Sequence, residues 1–554
     1  METLKQRTIV TDVLVIGAGG AGIRAAIEAR NLGAKVLVVS KGDYPAGCST
    51  AIAMGAISAA VDQKDSRDSH YQDTLKGGHY LGNPRLVRLL ADLSPERAME
   101  VERYGTEFDK VDGRFDLFLF PGNAVPRAVL AGDRYNGGFF KGLVREAARL
   151  GIEVLEHVMV VDLLRREGAV CGAAALEIDR ETLLIVQAKS VVIATGGAGN
   201  LFSLTTNLPG ITGDGCVLAY EAGTQLSDME FVQTRACMIR PEAMRGTAPP
   251  GDGGVTIGGR FYNGLCERYM KRYHPDKAEQ VSRAEVARCT QKEILEGRAS
   301  PHGGVYGDFS GVPAEKLMKF KAFMRSCASL NFDPTWQSYE WAPGAHYFMG
   351  GIVINEHSET GVEGLYAAGE AQTGTMGANR LPGNALAETQ VFGAIAGAQA
   401  SSRALSMDLP AVSPEIAGKT AQGIAVHWNR DKGIDYREVK KEITELMSRY
   451  AGVVRNGDGL RKALKVMDEI GKHKIDRLCI VENRSFGEMA KLFETRNIHT
   501  VGRLILQAAL LRTESRGAHN REDYPEMSDA WRKNIVFQRK AGKTGVSIQE
   551  ASSA

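Results

Sequence analysis

The stretch TDVLVIGAGGAGIRAAIEARNLGAKVLVVS (residues 11–40) decides the fold of the first part of this chain. Two apolar runs, TDVLVI and KVLVVS, flank a turn and a helical pattern. The turn has a G-x-G-x-x-G pattern, which permits a tight bend and lets a pyrophosphate approach the helix N-terminus. The segment therefore predicts a Rossmann-like β–α–β unit that binds a dinucleotide. Its candidate cofactor contacts are Gly17, Gly19, Gly20 and Gly22.

The composition is that of an ordinary globular protein. The 554 residues are 44% hydrophobic and 24% charged, enough for a large core. A net charge of +2 gives no reason to expect nucleic acid or an anionic membrane as a partner. No run of about 18 apolar residues exists, so we expect no direct membrane span. The eight cysteines are scattered, which favours reduced thiols in a cytoplasmic protein and predicts no metal or iron–sulfur site in this chain.

Two further apolar runs, KSVVIATGG (residues 189–197) and GLYAAGE (residues 364–370), also end at glycine-rich turns. The acidic residue expected after the second strand of a dinucleotide-binding unit is missing, and Ser40 and Lys41 stand there. A ribose contact must come from elsewhere, or the nucleotide is not NAD. Glu370 is a candidate for the ribose contact. Other candidate cofactor contacts at these strand ends are Ser40, Lys41, Ala194, Thr195 and Gly196.

Composition and periodicity divide the chain into three parts. Residues 231–340 are richer in charge and aromatic side chains, which predicts an inserted α+β domain. From about residue 410 helical periodicity dominates, which predicts a helical C-terminal domain over residues 410–554 with a short tail. We expect the last residues of that tail, SIQEASSA, to be disordered. Residues 1–230 and 341–405 then form a discontinuous α/β dinucleotide-binding domain.

The segments GAHYFMGGI (residues 344–352) and GANRLPGNALAE (residues 377–388) combine glycine-rich backbone with cationic or donor side chains. His346 and Arg380 stand beside backbone that a phosphate or a flat ring can approach closely. A dinucleotide fold that also holds a small anion is the simplest interpretation, and it predicts redox chemistry on a carboxylate substrate.

At these residues the chain resembles the flavoprotein subunits of succinate dehydrogenase and fumarate reductase, a family that includes L-aspartate oxidase. The resemblance runs nearly end to end, through GAGGAG, SKGDYPAGCST, ATGGAGN, TGDGCVLAYEAG, SRAEVAR, HYFMGGI, ANRLPGNAL and ESRGAHNREDYP. It implies an FAD-binding domain, a mobile capping domain formed by the insertion, and the helical C-terminal domain. Further cofactor contacts implied by the resemblance are Ser49, Thr50, Asp214, Asn384 and Leu386, the last two lining the isoalloxazine ring.

The resemblance also assigns catalytic roles to five residues. His346 and Arg380 would hold a substrate carboxylate, to which an arginine fork gives two charge-assisted bonds. Arg283 would pass a proton to the substrate carbon beside the one that exchanges a hydride with flavin N5. Because an arginine is effectively never deprotonated, this role needs a relay, for which Glu242 and Arg245 match the family's residues.

The chain departs from the family pattern at the second carboxylate. Dicarboxylate enzymes of the family carry FHPTG, but this chain has FVQTRACM (residues 231–238), with Arg235 near the position of the histidine. Pro241 replaces the threonine before the relay glutamate. Either Arg235 replaces the missing donors as a stronger anion partner, or the substrate has a different group at that end.

A second departure concerns the flavin linkage. Membrane-bound relatives attach FAD to a histidine in the segment where this chain has Ser49, so we expect non-covalent FAD. A cysteinyl link through the adjacent Cys48 is disfavoured. Electrons must come from a partner, and an iron–sulfur subunit is favoured over a diffusing donor or oxygen. Any membrane association would arise through such partner subunits.

Three functions remain open at this point. The leading one is an FAD-dependent oxidoreductase that interconverts a small (di)carboxylate and its unsaturated form, most simply of the fumarate reductase/succinate dehydrogenase type. The second is an L-aspartate oxidase, which oxidises a C–N bond to an imine. The third is a flavin electron-relay subunit whose substrate site has decayed, motivated by the altered FVQTRACM segment.

Overall fold

The structure, a computed structural model, describes residues 5–552 except 54, 133–136, 251–256, 282, 319, 411–413 and 431. The side chains at 283, 284, 321, 322, 414–417 and 419 also lie outside the described part.

The strands are short except where they build the central sheet. In chain order they are β1 (Gln6–Ile16), β2 (Val36–Val39), β3 (Ala56–Ser58), β4 (Lys110–Val111), β5 (Arg114–Phe115), β6 (Leu117–Phe118), β7 (Ala128–Leu130), β8 (Glu153–Leu155), β9 (Val158–Arg166), β10 (Ala169–Glu177), β11 (Thr182–Ile193), β12 (Gln225–Ser227), β13 (Val232–Arg240), β14 (Arg260–Tyr262), β15 (Val305–Asp308), β16 (Tyr339–Phe348), β17 (Gly351–Ile352), β18 (Leu365–Ala367), β19 (Ile434–Asp435), β20 (Leu478–Cys479), β21 (Lys533–Lys540) and β22 (Lys543–Glu550).

The helices are longest in the last third of the chain. In chain order they are α1 (Gly20–Asn31), α2 (Arg67–Gly77), α3 (Pro84–Arg103), α4 (Gly138–Arg149), α5 (Asp214–Ala222), α6 (Met270–Tyr273), α7 (Arg283–Leu295), α8 (Ala314–Met318), α9 (Lys321–Ser329), α10 (Asn384–Leu405), α11 (Pro414–Trp428), α12 (Tyr436–Tyr450), α13 (Gly457–His473) and α14 (Phe486–Leu511). No helix of the described residues has both the length and the apolar character that crossing a bilayer requires.

A seven-stranded sheet forms the centre of the first domain. Its strand order is β8-β2-β1-β11-β10-β9, with β18 also paired to β11. The pairs β1–β2, β1–β11, β2–β8 and β11–β18 are parallel, whereas β10 runs antiparallel to both of its neighbours. Val13, Leu14 and Val15 on β1 are fully buried, as expected for a strand covered on both faces. The β1–α1–β2 unit confirms the predicted Rossmann-like fold.

The insertion forms its own layer around an antiparallel sheet of order β13-β16-β15-β14. A separate apolar core stabilises it, in which Trp341 packs on Phe261 and Phe309 packs on Tyr339. The strand that leads into the insertion, β13, pairs along its length with β16, the strand that leads out. Both strands therefore connect the capping layer to the FAD-binding domain and carry side chains to the junction.

The C-terminal region is helical from α11 to α14, but its end differs from the prediction. The prediction that the tail is disordered is wrong, because residues 547–550 lie in β22, which pairs with β21. Strand β21 pairs in turn with β12 of the first domain, and its Ile535 and Phe537 are fully buried. Burial of these two side chains fixes the hairpin in a sheet of order β17-β12-β21-β22.

The run ESRGAHNREDYP, whose role the sequence alone leaves open, forms a buried ionic network. Arg512 lies just before it, with its Nε 2.6 Å from Glu230 Oε1 and its Nη1 3.0 Å from Glu514 Oε1. Arg516 Nε lies 2.6 Å from the same oxygen of Glu514. Arg512, Glu230 and Glu514 side chains are fully buried, so each charge depends on its partners for stabilisation.

We predict that Arg512→Ala lowers the free energy of unfolding by about 3–5 kcal/mol, because it leaves the buried carboxylate of Glu230 without its ion-pair partner and Glu514 with Arg516 alone. Urea denaturation followed by circular dichroism measures the change. Arg461→Ala is the matched control, since Arg461 pairs with Asp458 at the surface and such a pair contributes about 0–1 kcal/mol. Equal losses in the two variants would contradict the proposed importance of the network.

Candidate active site

A cavity of about 1120 Å³ lies where the three parts of the chain meet. The FAD-binding domain lines it with residues such as Thr50 and Leu386, the capping layer with Phe323, and the C-terminal region with Val453 and Ala518. The volume exceeds the roughly 300–1,000 Å³ that is usual for a small-molecule site. It therefore has room for the reactive end of a cofactor together with a substrate.

The glycine turn after β1 has the shape that a dinucleotide requires. Gly17 has a φ of +108°, and a Cβ there would stand 2.3 Å from the carbonyl oxygen of Ala194. A Cβ on Gly22 would stand 1.8 Å from the carbonyl oxygen of Gly17. The N-cap residue of α1, Gly19, has no capping side chain, and the amide of Gly20 donates to Thr50 Oγ1 at 3.0 Å. A pyrophosphate would be bound by the other amide groups of this first turn. Thr195 Oγ1 is buried without a hydrogen-bond partner among the described residues. These features fit FAD.

Lys41 and Asp214 are already engaged with each other. Lys41 Nζ lies 2.5 Å from Asp214 Oδ2 and 3.0 Å from Glu494 Oε1 on α14. Burial alone would lower the pKa of Lys41, but these two carboxylates hold it above its ordinary value. Through Glu494, Lys41 links the FAD-binding domain to the C-terminal helices. A direct contact of Lys41 or Asp214 with the cofactor stays a prediction. Ser40 Oγ donates to the carbonyl of Gly42 at 2.9 Å.

Glu370, the predicted substitute for the acidic residue missing after β2, follows β18 and lines the cavity. Its Oε1 accepts a hydrogen bond of 3.0 Å from the backbone amide of Phe348, at the end of β16. Burial, with a smaller effect from the nearby Glu388, raises the pKa of Glu370 to about 8. The side chain is therefore mostly neutral at pH 7. Its predicted contact with the ribose stays a prediction.

The remaining predicted cofactor residues divide between the cavity wall and the layer behind it. Ser49 lines the cavity, as do Thr50 and Leu386 named above. Asn384 lies behind the wall among the described residues, where its Oδ1 is 2.9 Å from His70 Nε2 and its amide donates to Thr74. Burial raises the pKa of the Cys48 thiol to about 11, so it is a poor nucleophile for a covalent flavin link.

His346 and Arg380 both lie on the cavity wall and are held in place by neighbours. The Nδ1 atom of His346 is 2.7 Å from Thr206 Oγ1. Arg380 Nε donates to Gln233 Oε1 at 3.0 Å, and Gln233 Nε2 donates back to the carbonyl of Arg380 at 3.0 Å. The guanidinium lies 4.5 Å from the centroid of the Tyr347 ring. This arrangement presents a fixed cationic fork to the cavity.

The loop that carries Arg380 is supported from behind by the C-terminal run. The amide of Ala518 donates to the carbonyl of Ala378 at 2.9 Å. Gly517 has a φ of +55°, and a Cβ there would stand 2.2 Å from the same carbonyl oxygen. Only glycine permits this approach, so the buried ionic run and the anion-binding loop are in direct backbone contact.

A second group of cations lies on the opposite strand. Arg235 on β13 stands across from Gly344 on β16 and lines the cavity together with Arg245. Burial raises the pKa of Cys237 to about 12, against an opposing electrostatic effect of these two guanidinium groups. The cavity thus carries further cations, of which Arg235 stands near the position where the family pattern has a histidine.

The structure describes the side chains of two of the three residues of the predicted relay. The carboxylate of Glu242 is 3.0 Å from Arg240 Nη1 and largely exposed, and among the described residues it makes no ion pair with Arg245. The pair with Arg240 holds this carboxylate away from the cavity wall, and the relay roles of Glu242 and Arg245 stay predictions. Arg283 begins α7, and its side chain lies outside the described residues; Val286, one turn later, lines the cavity.

Sequence reasoning missed the residues that position the anion-binding groups. Gln233 and Tyr347 lie within the FVQTRACM and HYFMGGI segments, but no spacing signals their contact with Arg380. Thr206 contacts His346 from a loop 140 positions earlier in the chain, which no local pattern indicates.

Comparison with known proteins agrees with this geometry. A family model of an FAD binding domain matches residues 12–386, and one of the fumarate reductase flavoprotein C-terminus matches residues 440–552. One subunit of the fumarate reductase (CoM/CoB) of Methanothermobacter marburgensis is 38% identical over 545 residues, which cover 96% of this chain and 97% of the relative. The L-aspartate oxidase of Caulobacter vibrioides is 33% identical over 526 residues, covering 92% and 93%.

Among solved structures, Mycobacterium smegmatis Sdh1 in complex with UQ1 superposes with a TM-score of 0.90 at 33% identity, covering 99% of this chain and 95% of that chain. The family match shows that the cofactor of this chain is FAD.

We predict that Glu370→Gln makes the stability of the FAD-free protein less dependent on pH. The folded carboxyl stays protonated up to about pH 8, whereas the unfolded one ionises near 4.5. The stabilisation of the folded state by this protonated carboxyl is therefore complete below pH 4.5 and is lost as the pH rises to 8. Relative to wild type, the variant should gain on the order of 4 kcal/mol across this window.

Urea unfolding at a series of pH values measures this difference. Glu438→Gln, which changes a carboxylate exposed on α12, is the control and should give an offset that does not vary with pH. A pH-independent offset in Glu370→Gln as well would show that burial does not perturb this carboxyl.

Proposed function

This chain belongs to the flavoprotein family of fumarate reductase, succinate dehydrogenase and L-aspartate oxidase, and we propose that it interconverts a small carboxylate and its unsaturated form. The observation that carries the proposal is the clamped guanidinium of Arg380 on the wall of the FAD cavity. The side-chain amide of Gln233 hydrogen-bonds both the Nε and the carbonyl of Arg380, and the ring of Tyr347 packs against the guanidinium. Because these contacts fix the guanidinium, it binds a carboxylate without first having to be ordered.

The charges of the cavity support an anionic substrate. Its wall carries the guanidinium groups of Arg235, Arg245, Arg325 and Arg380. Since burial keeps Glu370 mostly protonated at pH 7, this carboxyl does not offset them. Four cations on one cavity wall raise the local concentration of an anion and stabilise the negative charge that develops on it during reaction.

When bound, FAD supplies the acceptor or donor of the hydride. Arg380 and His346 hold one carboxylate of the substrate and so orient the adjacent carbon toward the ring. We assign proton transfer to Arg283, which begins α7 on the capping layer. Because that arginine must recover its proton, Arg245 on the cavity wall is the candidate next member of the relay. Apolar side chains of the capping layer exclude water from the reacting carbons.

FAD is held without a covalent bond in this proposal, since Ser49 lines the cavity where attachment would need a histidine. The electron partner is an iron–sulfur protein. In support, the Methanothermobacter relative is named as one subunit of its enzyme, and the eight cysteines of this chain include no C-x-x-C pair. A membrane, where one is involved, would be reached through such partners.

A second candidate is oxidation of an amino acid, favoured by the match to L-aspartate oxidase. The same Arg380 and His346 would then hold a carboxylate of L-aspartate. Production of hydrogen peroxide from L-aspartate and oxygen by the FAD-loaded protein identifies this activity. Reduction of an unsaturated acid by reduced viologen, without peroxide from L-aspartate, identifies the first.

We predict that Arg380→Lys lowers kcat/KM for the best unsaturated acid about 100-fold, because lysine cannot form the paired bonds or the clamp to Gln233. Oxidation of reduced viologen measures the rate, and flavin absorbance verifies that FAD is retained. Arg85→Lys is the control, since Arg85 is exposed and pairs with Glu356 away from the cavity. Full activity in Arg380→Lys would remove the basis for the proposed carboxylate site.

A further inference from the structure

The capping layer contributes an apolar surface to the cavity, beside the guanidinium groups of Arg235, Arg245 and Arg325. We define the apolar bay as Met244, Val281, Val286, Phe320, Phe323 and Trp341, all of which line the cavity. Met244, Val286 and Trp341 are buried, and the others are partly buried.

The apolar bay is a preformed surface rather than a set of mobile side chains. Phe323 packs edge-on against the fully buried Phe309, with ring centroids 6.2 Å apart. Trp341 packs on Phe261 at 4.9 Å. Met244 and Val286 belong to the same apolar core of the capping layer. Because these contacts hold the wall in place, it cannot collapse to fill the space when a small substrate is bound.

A compact unsaturated dicarboxylate does not match such a wall. Fumarate has a carboxylate at each end and no apolar branch, so it buries almost no hydrocarbon surface against the bay. Arg380 and Arg235 line the cavity and are the candidate partners of charged groups on a substrate, but neither accounts for the apolar bay. A substituent on the reacting carbons would cover this surface and displace water from it.

We propose that the substrate carries an alkyl or aryl substituent beside its double bond, and that this group binds in the apolar bay. The inference rests on the proposed function and specifies its substrate class. Reduction adds two electrons, from two molecules of reduced viologen in the assay, and two protons across the C=C bond. The product is the substituted saturated acid.

Binding of saturated acids tests this inference without turnover. Isothermal titration calorimetry of the FAD-loaded protein compares phenylsuccinate with succinate. We expect phenylsuccinate to bind at least about tenfold more tightly, because burial of the ring adds apolar contact. In the viologen assay, phenylfumarate should likewise exceed fumarate in kcat/KM by about tenfold or more.

Variants of the bay show where the ring binds. Phe323→Ala and, separately, Phe320→Ala should bring the phenylsuccinate-to-succinate affinity ratio toward one. The ratio is taken within one sample, so a partly unfolded fraction cancels. Trp336→Ala, which removes an exposed side chain of the same layer outside the cavity, should leave the ratio unchanged.

The outcomes separate the two levels of the proposal. Reduction of fumarate with no preference for the phenyl acids would overturn the substituted-substrate inference and leave the proposed function standing. A preference that survives both phenylalanine variants would also overturn the assignment to the bay. Absence of binding and turnover with every acid would overturn the proposed function, and this inference with it.

Discussion

The close approach of Gly517 to Ala378 is the constraint on which the anion site depends. The backbone of Gly517 lies so close to the carbonyl of Ala378 that no side chain fits between them, and the amide of Ala518 donates a hydrogen bond to the same carbonyl. Behind this contact, Glu514 is held between Arg512 and Arg516 in the protein interior. In front of it, the loop continues to Arg380. The charged C-terminal run thus acts as a rigid support, and its buried charges make its position difficult to change.

The capping layer meets the FAD-binding domain through the paired strands β13 and β16. These strands bring Gln233 and Arg235 from one side and His346 from the other. Of the proposed anion-binding residues, Arg235 and His346 therefore lie on the connections of the insertion and Arg380 on a loop of the FAD-binding domain, whereas the apolar bay and Arg283 belong to the body of the insertion. A movement of the layer would change the distance between the anion-binding residues and the apolar bay with Arg283, while the contacts to the carboxylate stay in place. Such an arrangement is suited to gating.

How far the sequence predicts this structure depends on how local the interactions are. The β1–α1–β2 unit follows from glycine spacing and apolar periodicity within 30 residues, and the helices from residue 436 follow from their own period. Strand β21 pairs with β12 some 300 positions earlier, so its burial has no local signal. Asn384, predicted to line the ring, hydrogen-bonds His70, and Glu242, predicted in the relay, pairs with Arg240; both roles stay predictions. In each case a competing partner decides the position of the side chain.

The most direct test compares kcat/KM of Gly517→Ala and Gly542→Ala. Both glycines have positive φ, at +55° and +77°, but only Gly517 has an atom in the space of a Cβ, whereas nothing lies within 4 Å of one at Gly542. If the C-terminal support positions Arg380, Gly517→Ala should lose about 100-fold in kcat/KM while retaining FAD, and Gly542→Ala should remain near wild type. Equal activity of the two variants would contradict the dependence of the site on this contact.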